Sequence, residues 1–273
     1  MVPVVLSIAG SDSGAGAGIQ ADLKTFMAHQ VYGVTVITAI TAQNTCAVKE
    51  IFPLKASVVG AQLDALFEDF RISAIKIGML YSAEIVKVIA EKLSNYKGFI
   101  VLDPVWRAGT GKWLQEEDAL QVMLKELFPI ISLLTPNAEE AALLYGKSFS
   151  APMEIPKVFA RLVTYCPQAA ILLKGAHLVN NPTGTLLQTT DWLWHQGKIQ
   201  SFTSVFIGQK SLHGTGCTLS SAIAARVAQG FSLPEAVRLA KEYVYLTITR
   251  SMPPLGKGRI LLNHLANFND DSI

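Results

Sequence analysis

The feature that most constrains this chain is a set of short apolar runs that do not alternate. Residues 2–9, 34–40, 74–77, 99–102, 131–134 and 169–174 are rich in β-branched and aliphatic side chains, and most are apolar through nearly their whole length rather than alternating. Alternation marks a strand with one wet face, whereas an unbroken apolar run marks a strand covered on both. Between the runs lie segments of helical period. Ile85, Val88 and Ile89 keep i, i+3, i+4 spacing, and Ile155, Val158, Phe159 and Leu162 extend it to i+7, so each segment can cover one sheet face. Strands alternating with helices predict an α/β fold with a mostly parallel, doubly wound sheet, whose ligands lie beyond the carboxyl ends of the strands. The more polar stretch 180–204, with Asp191-Trp192-Leu193-Trp194 followed by residues 199–206, reads as antiparallel strands at an edge. Residues 214–250 read as two helices broken near Gly230 to Pro234.

Composition narrows the function classes. With 273 residues, 50% of them hydrophobic, the chain can build one large core, and no repeat or linker marks a boundary, so residues 1–273 are read as one domain. The 23 basic and 21 acidic residues are interspersed, which argues against a nucleic-acid or membrane-surface partner. Cys46, Cys166 and Cys217 have neither metal-ligand spacing nor a pairing framework, which suits the reducing cytoplasm. The first ten residues lack the basic flank of a secretory signal, and no run of about 18 apolar residues follows.

The strand ends carry the polar residues. The first run enters Gly10-Ser11-Asp12-Ser13-Gly14-Ala15-Gly16-Ala17-Gly18, where glycines let the backbone turn tightly or approach a ligand before a helix beginning near Ala17. This loop lacks the Lys-Ser/Thr ending of a P-loop and fits a plain strand-to-helix turn equally well. Asp103-Pro104 puts a carboxylate at the sheet rim, either an exposed turn residue or a contact for a metal-bound triphosphate. Thr135-Pro136-Asn137 is followed by Glu140, so Asn137 and Glu140 share a helix start, an arrangement that capping alone explains. Leu173-Lys174-Gly175 brings an ammonium to the same rim. The sharpest local signal is His213-Gly214-Thr215-Gly216-Cys217-Thr218 ahead of an alanine-rich helix. Two glycines there expose backbone N–H groups at a helix N-terminus, as a transferring phosphoryl group requires. The same field is expected to depress the pKa of Cys217, so that its thiolate can take the proton of an alcohol; an inert buried thiol is the alternative.

Taken together, these motifs resemble the hydroxymethylpyrimidine/phosphomethylpyrimidine kinases of thiamine biosynthesis, within the ribokinase-like superfamily. The likeness spans nearly the whole chain. It runs through Ile8-Ala9-Gly10-Ser11-Asp12, Gly16-Ala17-Gly18-Ile19-Gln20-Ala21-Asp22, Thr41-Ala42-Gln43-Asn44-Thr45, Lys76-Ile77-Gly78-Met79-Leu80, Leu102-Asp103-Pro104-Val105, Thr135-Pro136-Asn137, Leu173-Lys174-Gly175 and the turn at His213. It implies a three-layer α/β/α sandwich, usually dimeric, that uses ATP and Mg2+ to phosphorylate 4-amino-5-hydroxymethyl-2-methylpyrimidine and then its monophosphate. It also implies roles: Gln43 reads the pyrimidine, with Gly10, Ala17, Asp22, Met79 and Val105 lining the same pocket. Asp103 and Glu140 position hydrated magnesium, Asn137 and Thr215 lie beside the nucleotide, Lys174 approaches its phosphates, and Cys217 with the Gly214 and Gly216 amides faces the transferred group. The Gln43 amide, with donor and acceptor side by side, matches an exocyclic amine next to a ring nitrogen.

The chain departs from the family pattern at Trp106 and Arg107, where a bulky indole narrows the pocket or rebuilds its lid, at Leu212 and Ala176, and in Gly256-Lys257-Gly258-Arg259. A pyridoxal or pyridoxamine kinase of the same fold is the nearest alternative, and Gln43 separates the two, because the related pyridoxal-acting branch typically has methionine there. A pyrimidine-binding protein without turnover is the other alternative, opposed by the joint presence of Asp103, Glu140, Lys174 and Cys217.

Overall fold

The structure, a computed structural model, describes residues 1–108, 111–150, 152–175, 188–207, 212–251 and 253–266. Among these the strands are β1 (Val4–Asp12), β2 (Tyr32–Gln43), β3 (Val48–Pro53), β4 (Ile72–Ile77), β5 (Phe99–Leu102), β6 (Leu133–Leu134), β7 (Ala170–Leu173), β8 (Gln188–His195), β9 (Lys198–Val205), β10 (Leu212–His213) and β11 (Ile260–Leu261). The helices are α1 (Gly18–Ala28), α2 (Ala56–Asp69), α3 (Ala83–Leu93), α4 (Glu117–Val122), α5 (Ala138–Tyr145), α6 (Ile155–Leu162), α7 (Thr215–Ala228) and α8 (Leu233–Thr249). No helix among the described residues is long and apolar enough to cross a membrane.

The main sheet has nine strands in the order β3-β2-β1-β4-β5-β6-β7-β8-β9, and β10 pairs separately with β11. From β2 to β7 every neighbouring pair is parallel, while β3 at one end and β8 with β9 at the other are antiparallel. The chain leaves β1 for β2 on one side and returns to β4 on the other, which makes the β1/β4 boundary a topological switch point where a crevice opens at the strand ends.

The apolar runs are explained by two cores. Leu6, Ile8, Ile75, Leu102 and Leu134 face α2, α3, α5 and α6 through Leu63, Ile85, Leu144 and Phe159. Their neighbours Val5, Ala74, Val101 and Leu133 face α1, α7 and α8 through Phe26, Ala222, Ile223 and Ala240. Period-two strand geometry thus sends both sets of apolar side chains into dry layers, giving the doubly wound sheet expected from the strand–helix alternation and the three-layer α/β/α sandwich implied by the family resemblance.

The edge expectation holds for β8 and β9, and the C-terminal helices break where expected. Residues 180–187 and Ala176 lie outside the described residues. The apolar-run criterion missed β3, which carries Lys49 and Glu50 and is mostly exposed, as an antiparallel edge strand can be.

Candidate active site

A cavity of about 1280 Å³ opens at the carboxyl ends of the parallel strands and is lined by residues from nearly every motif of the sequence. Gly10, Ala17, Gln43, Met79 and Val105 line it, as do Asp103, Asn137, Glu140, Lys174, Gly214, Thr215, Gly216 and Cys217.

At one wall the start of α7 is an open anion cradle. Gly214, its N-cap, has φ +87°, and an added Cβ would overlap the Gly16 carbonyl, so glycine is required. The first intrahelical bond runs from Thr218 N–H to Gly214 C=O, and no N-cap side chain intervenes. The amides of Thr215, Gly216 and Cys217 therefore precede the helical ladder with the dipole behind them. A Cβ on Gly216 would lie 3.3 Å from Lys174 Nζ and 3.5 Å from Asp103 Oδ2, which places the ammonium and the carboxylate directly over this turn.

Lys174 Nζ donates to Asp103 Oδ1 at 2.7 Å, and Thr135 Oγ1 donates to the same oxygen at 3.2 Å. Burial works against the Lys174 charge, but Asp103 and then Glu140 outweigh it and hold the ammonium above its ordinary pKa. Asn137 and Glu140 form a reciprocal capping box at α5, with Asn137 N–H donating to Glu140 Oε2 at 2.7 Å and Glu140 N–H to Asn137 Oδ1 at 2.9 Å. Capping alone does not explain the burial of Glu140 beside Lys174. Burial pushes its carboxyl well above the usual range, Lys174 pulls it back, and Asp103 adds to the rise.

The first glycine loop behaves differently. The Asp12 carboxylate turns back into it and accepts from the N–H groups of Gly14 at 2.8 Å, Gly16 at 3.0 Å and Ala17 at 2.9 Å. His213 Nε2 lies 2.9 Å from Asp12 Oδ2, and one end of the Gln43 amide lies 3.0 Å from the same nitrogen. Burial favours the protonated Asp12 carboxyl, but the His213 hydrogen bond and the amides of Gly14 and Ala17 prevail and lower its pKa.

Two expectations are corrected. Asp22 does not line the cavity; it is fully buried, 2.8 Å from Lys76 Nζ, and accepts from Ser7 Oγ and Ser221 Oγ at 2.5 and 2.6 Å. It acts on the cavity through Lys76, which does line it. The Cys217 thiol is not depressed: burial pushes it up to about 11, against the opposing charge of Lys76 and with Asp22 and Asp103 adding to the rise. The helix field that the sequence argument relied on is outweighed by desolvation.

The sequence reading assigned no role to Lys76. A lysine inside an apolar run was the available signal, because a buried charge demands a partner. Burial would lower its pKa, but Asp22 and then Cys217 and Asp103 hold it raised. Trp106 is 4% exposed and packs in the main core while forming cavity wall, so it narrows the pocket from within rather than as a lid. Arg107 stacks on Trp113 at 4.3 Å, at the cavity rim. Leu212 also lines the cavity, and the Gly256 to Arg259 segment packs on Thr45 beyond β2.

A family model described as phosphomethylpyrimidine kinase matches residues 12–263. A hydroxymethylpyrimidine/phosphomethylpyrimidine kinase of Rhizobium meliloti (strain 1021) is 41% identical over 265 residues, covering 97% of this chain and 97% of that protein. Among solved structures, phosphomethylpyrimidine kinase from Clostridium difficile 630 superposes with a TM-score of 0.78 at 37% identity, over 90% of this chain and 99% of that one. Pyridoxal kinase from Staphylococcus aureus, in complex with AMP-PCP and pyridoxal, superposes with a TM-score of 0.87 at 29% identity, over 99% and 96%.

Proposed function

The chain belongs to the phosphomethylpyrimidine kinase family, and from that premise we propose how its own residues divide the work. The protein is a phosphotransferase of ribokinase-like fold that uses ATP to phosphorylate the hydroxymethyl group of the aminopyrimidine and then the resulting monophosphate, in thiamine biosynthesis. The observation that carries the assignment of roles is the convergence of the open α7 turn, Asp103 and Lys174 in one cavity that reaches Gln43.

Gln43 reads the ring, with Met79 and Val105 as apolar contacts and Gly10 and Ala17 giving close backbone approach. The α7 amides and Lys174 stabilise charge on the transferring phosphoryl group, which needs positioning and electrostatics more than covalent help. Thr215 and Asn137 flank the nucleotide. Asp103 pairs with the Lys174 ammonium, and Glu140 is buried beside them with its carboxyl pushed up to about 8 by burial. These hard oxygen donors fit magnesium arriving with the nucleotide phosphates, whose charge it would help neutralise while favouring the ionised form of Glu140.

Cys217 faces the acceptor. The first acceptor is an alcohol that must lose a proton, and the second is an ionised phosphate that needs only its charge offset. With the thiol raised to about 11, its thiolate is a minor species near neutrality, held against burial mainly by Lys76. The loose character of phosphoryl transfer tolerates this, since the alcohol proton leaves late.

One kinase domain over residues 1–273, working as a cytoplasmic homodimer, completes the proposal. ADP release with hydroxymethylpyrimidine, pyridoxal and pyridoxine as acceptors tests it. Turnover should be fastest with the pyrimidine, giving monophosphate and then diphosphate. Preference for pyridoxal would move the chain to the pyridoxal-acting branch, and no turnover with any acceptor would make it a binding protein.

A further inference from the structure

Gln43 can read a ring only if its amide is fixed, because the carboxamide presents the opposite pattern when rotated by half a turn. Its oxygen and nitrogen are told apart by what they face. As it stands, the Gln43 amide sets Nε2 3.0 Å from His213 Nε2 and Oε1 3.2 Å from Thr41 Oγ1; the two amide ends have the same shape, and the protons on their neighbours require the opposite orientation.

The same His213 nitrogen lies 2.9 Å from Asp12 Oδ2. Asp12 already accepts three backbone N–H bonds, and as a carboxylate it can only accept. Nε2 must therefore carry a proton and donate. A nitrogen that carries a proton in a ring has no lone pair left to accept with, so the Gln43 end beside it has to be the oxygen, and the single Nε2–H is shared between Asp12 Oδ2 and that oxygen. The other end is then the NH2 group, and it meets a suitable partner: Thr41 Oγ1 spends its own proton on the Ser11 carbonyl at 3.0 Å and offers a lone pair. The reversed amide would set an N–H against an N–H at His213. The lowered pKa of Asp12 removes the remaining escape, in which a protonated Asp12 donates to an unprotonated Nε2.

We infer that His213, anchored by Asp12, is a positioning and specificity residue that locks the Gln43 amide with its oxygen toward the α7 turn and its NH2 toward Thr41. The second lone pair of the oxygen and the second N–H remain for the ring, in a fixed order along the pocket. A substrate edge must match that order, with a donor on the His213 side and an acceptor on the Thr41 side. Because Gly214 follows His213 and caps α7, ring recognition and the phosphoryl cradle are set by adjacent residues. The specificity half of this inference rests on the aminopyrimidine reading; the lock does not.

Two experiments separate them. In the wild-type protein without substrate, nitrogen-15 NMR of the imidazoles, assigned with His213→Gln, should show a proton on Nε2 of His213; a neutral ring protonated only on Nδ1 overturns the lock. In kinetics, His213→Leu frees the amide to rotate, so KM for hydroxymethylpyrimidine should rise about tenfold, the worth of one oriented hydrogen bond, with KM for ATP nearly unchanged. Discrimination against pyridoxal should shrink in proportion. His213→Gln, whose terminal NH2 can donate to both Asp12 and Gln43, should recover most of the loss. Unchanged KM and discrimination in His213→Leu, or no recovery in His213→Gln, contradicts the inference while leaving the kinase assignment intact. Absence of pyrimidine turnover by the wild type instead defeats the assignment and leaves the NMR result to decide the lock.

Discussion

Two glycine-rich turns, each between a strand and a helix, pack directly against one another at this cavity, and they do opposite things with the same backbone. The loop before α1 spends the N–H groups of Gly14, Gly16 and Ala17 on the Asp12 carboxylate, an anion the protein supplies itself. The turn before α7 leaves its first N–H groups ahead of the helical ladder and sets Lys174 and Asp103 over them. The physical preference is identical, negative charge at clustered amides. What differs is whether a side chain already satisfies it. A self-filled turn is structure, while an open one is available for a ligand, and glycine content alone does not say which.

The contrast is broken if both turns respond alike to substitution. The largest expected effect is at the filled turn: Asp12→Ala leaves three loop amides and His213 without their acceptor and should cost about 3 kcal/mol or more in chemical denaturation, as removal of one partner from a buried charged network does. A loss under about 1 kcal/mol would mean that the loop does not depend on its own anion. At the open turn the loss should appear in rate. Gly216→Ala inserts a methyl 3.3 Å from Lys174 Nζ, between the amides and their ligand. It should lower kcat about 10²-fold with stability nearly unchanged, the scale of one lost oxyanion donor. A strong melting shift with retained kcat would reverse the two assignments.

Cys217→Ser sharpens the account of the open turn. Because the thiol is raised to about 11, the thiolate fraction grows as pH rises through and above neutrality. The first phosphorylation should accelerate with pH by about one log unit per unit while the second stays flat. Cys217→Ser should remove that slope and slow the first step about tenfold near pH 8. Equal slopes in both steps, read from product analysis, would count against Cys217 as the proton acceptor.

The smallest effect compares the helices behind the turns, each of which holds a buried histidine. His29 caps the end of α1, and His264 Nε2 lies 3.0 Å from Thr218 Oγ1 in the first turn of α7. Burial is the main cause that lowers both from 6.5 to about 4. A depressed histidine is neutral in the folded state, so its stability is complete above about 6.5 and is lost as pH falls toward about 4. Each should cost about 1 kcal/mol between about pH 7 and about pH 5.5, read by denaturant titration. His264→Gln should remove its share of the slope; a flat profile in the wild type would show that these rings are not buried as neutral groups.

Much of this was legible in the sequence because burial on both faces leaves a nearly continuous apolar record, unbroken in 99–102 and broken in 74–77 only by Lys76. The strand ends then led to Asp103, Asn137 and Lys174, and the cavity joins them. β3 was not legible, since a mostly exposed edge strand leaves little apolar trace. The fate of the first glycine loop was hidden for a different reason. Asp12 two residues before Gly14 is a known way for a side chain to satisfy its own turn, but only three-dimensional packing brings Gly16 and His213 to the same carboxylate. Cys217 was misjudged because the helix field can be read from sequence position, whereas desolvation depends on the layers that close over it. Asp22 could be recognised as a motif residue but not as the buried partner of Lys76, 54 positions away.

The division of labour between the turns can be seen directly by determining the structure with ADP, aluminium fluoride, magnesium and hydroxymethylpyrimidine. The planar fluoride, standing for the phosphoryl group in transfer, should rest on the amides between Gly214 and Cys217 beside Lys174, with Asp12 still seated in its own loop. A fluoride bound instead by Gly14, Gly16 and Ala17, with the Asp12 carboxylate swung away, would contradict the account.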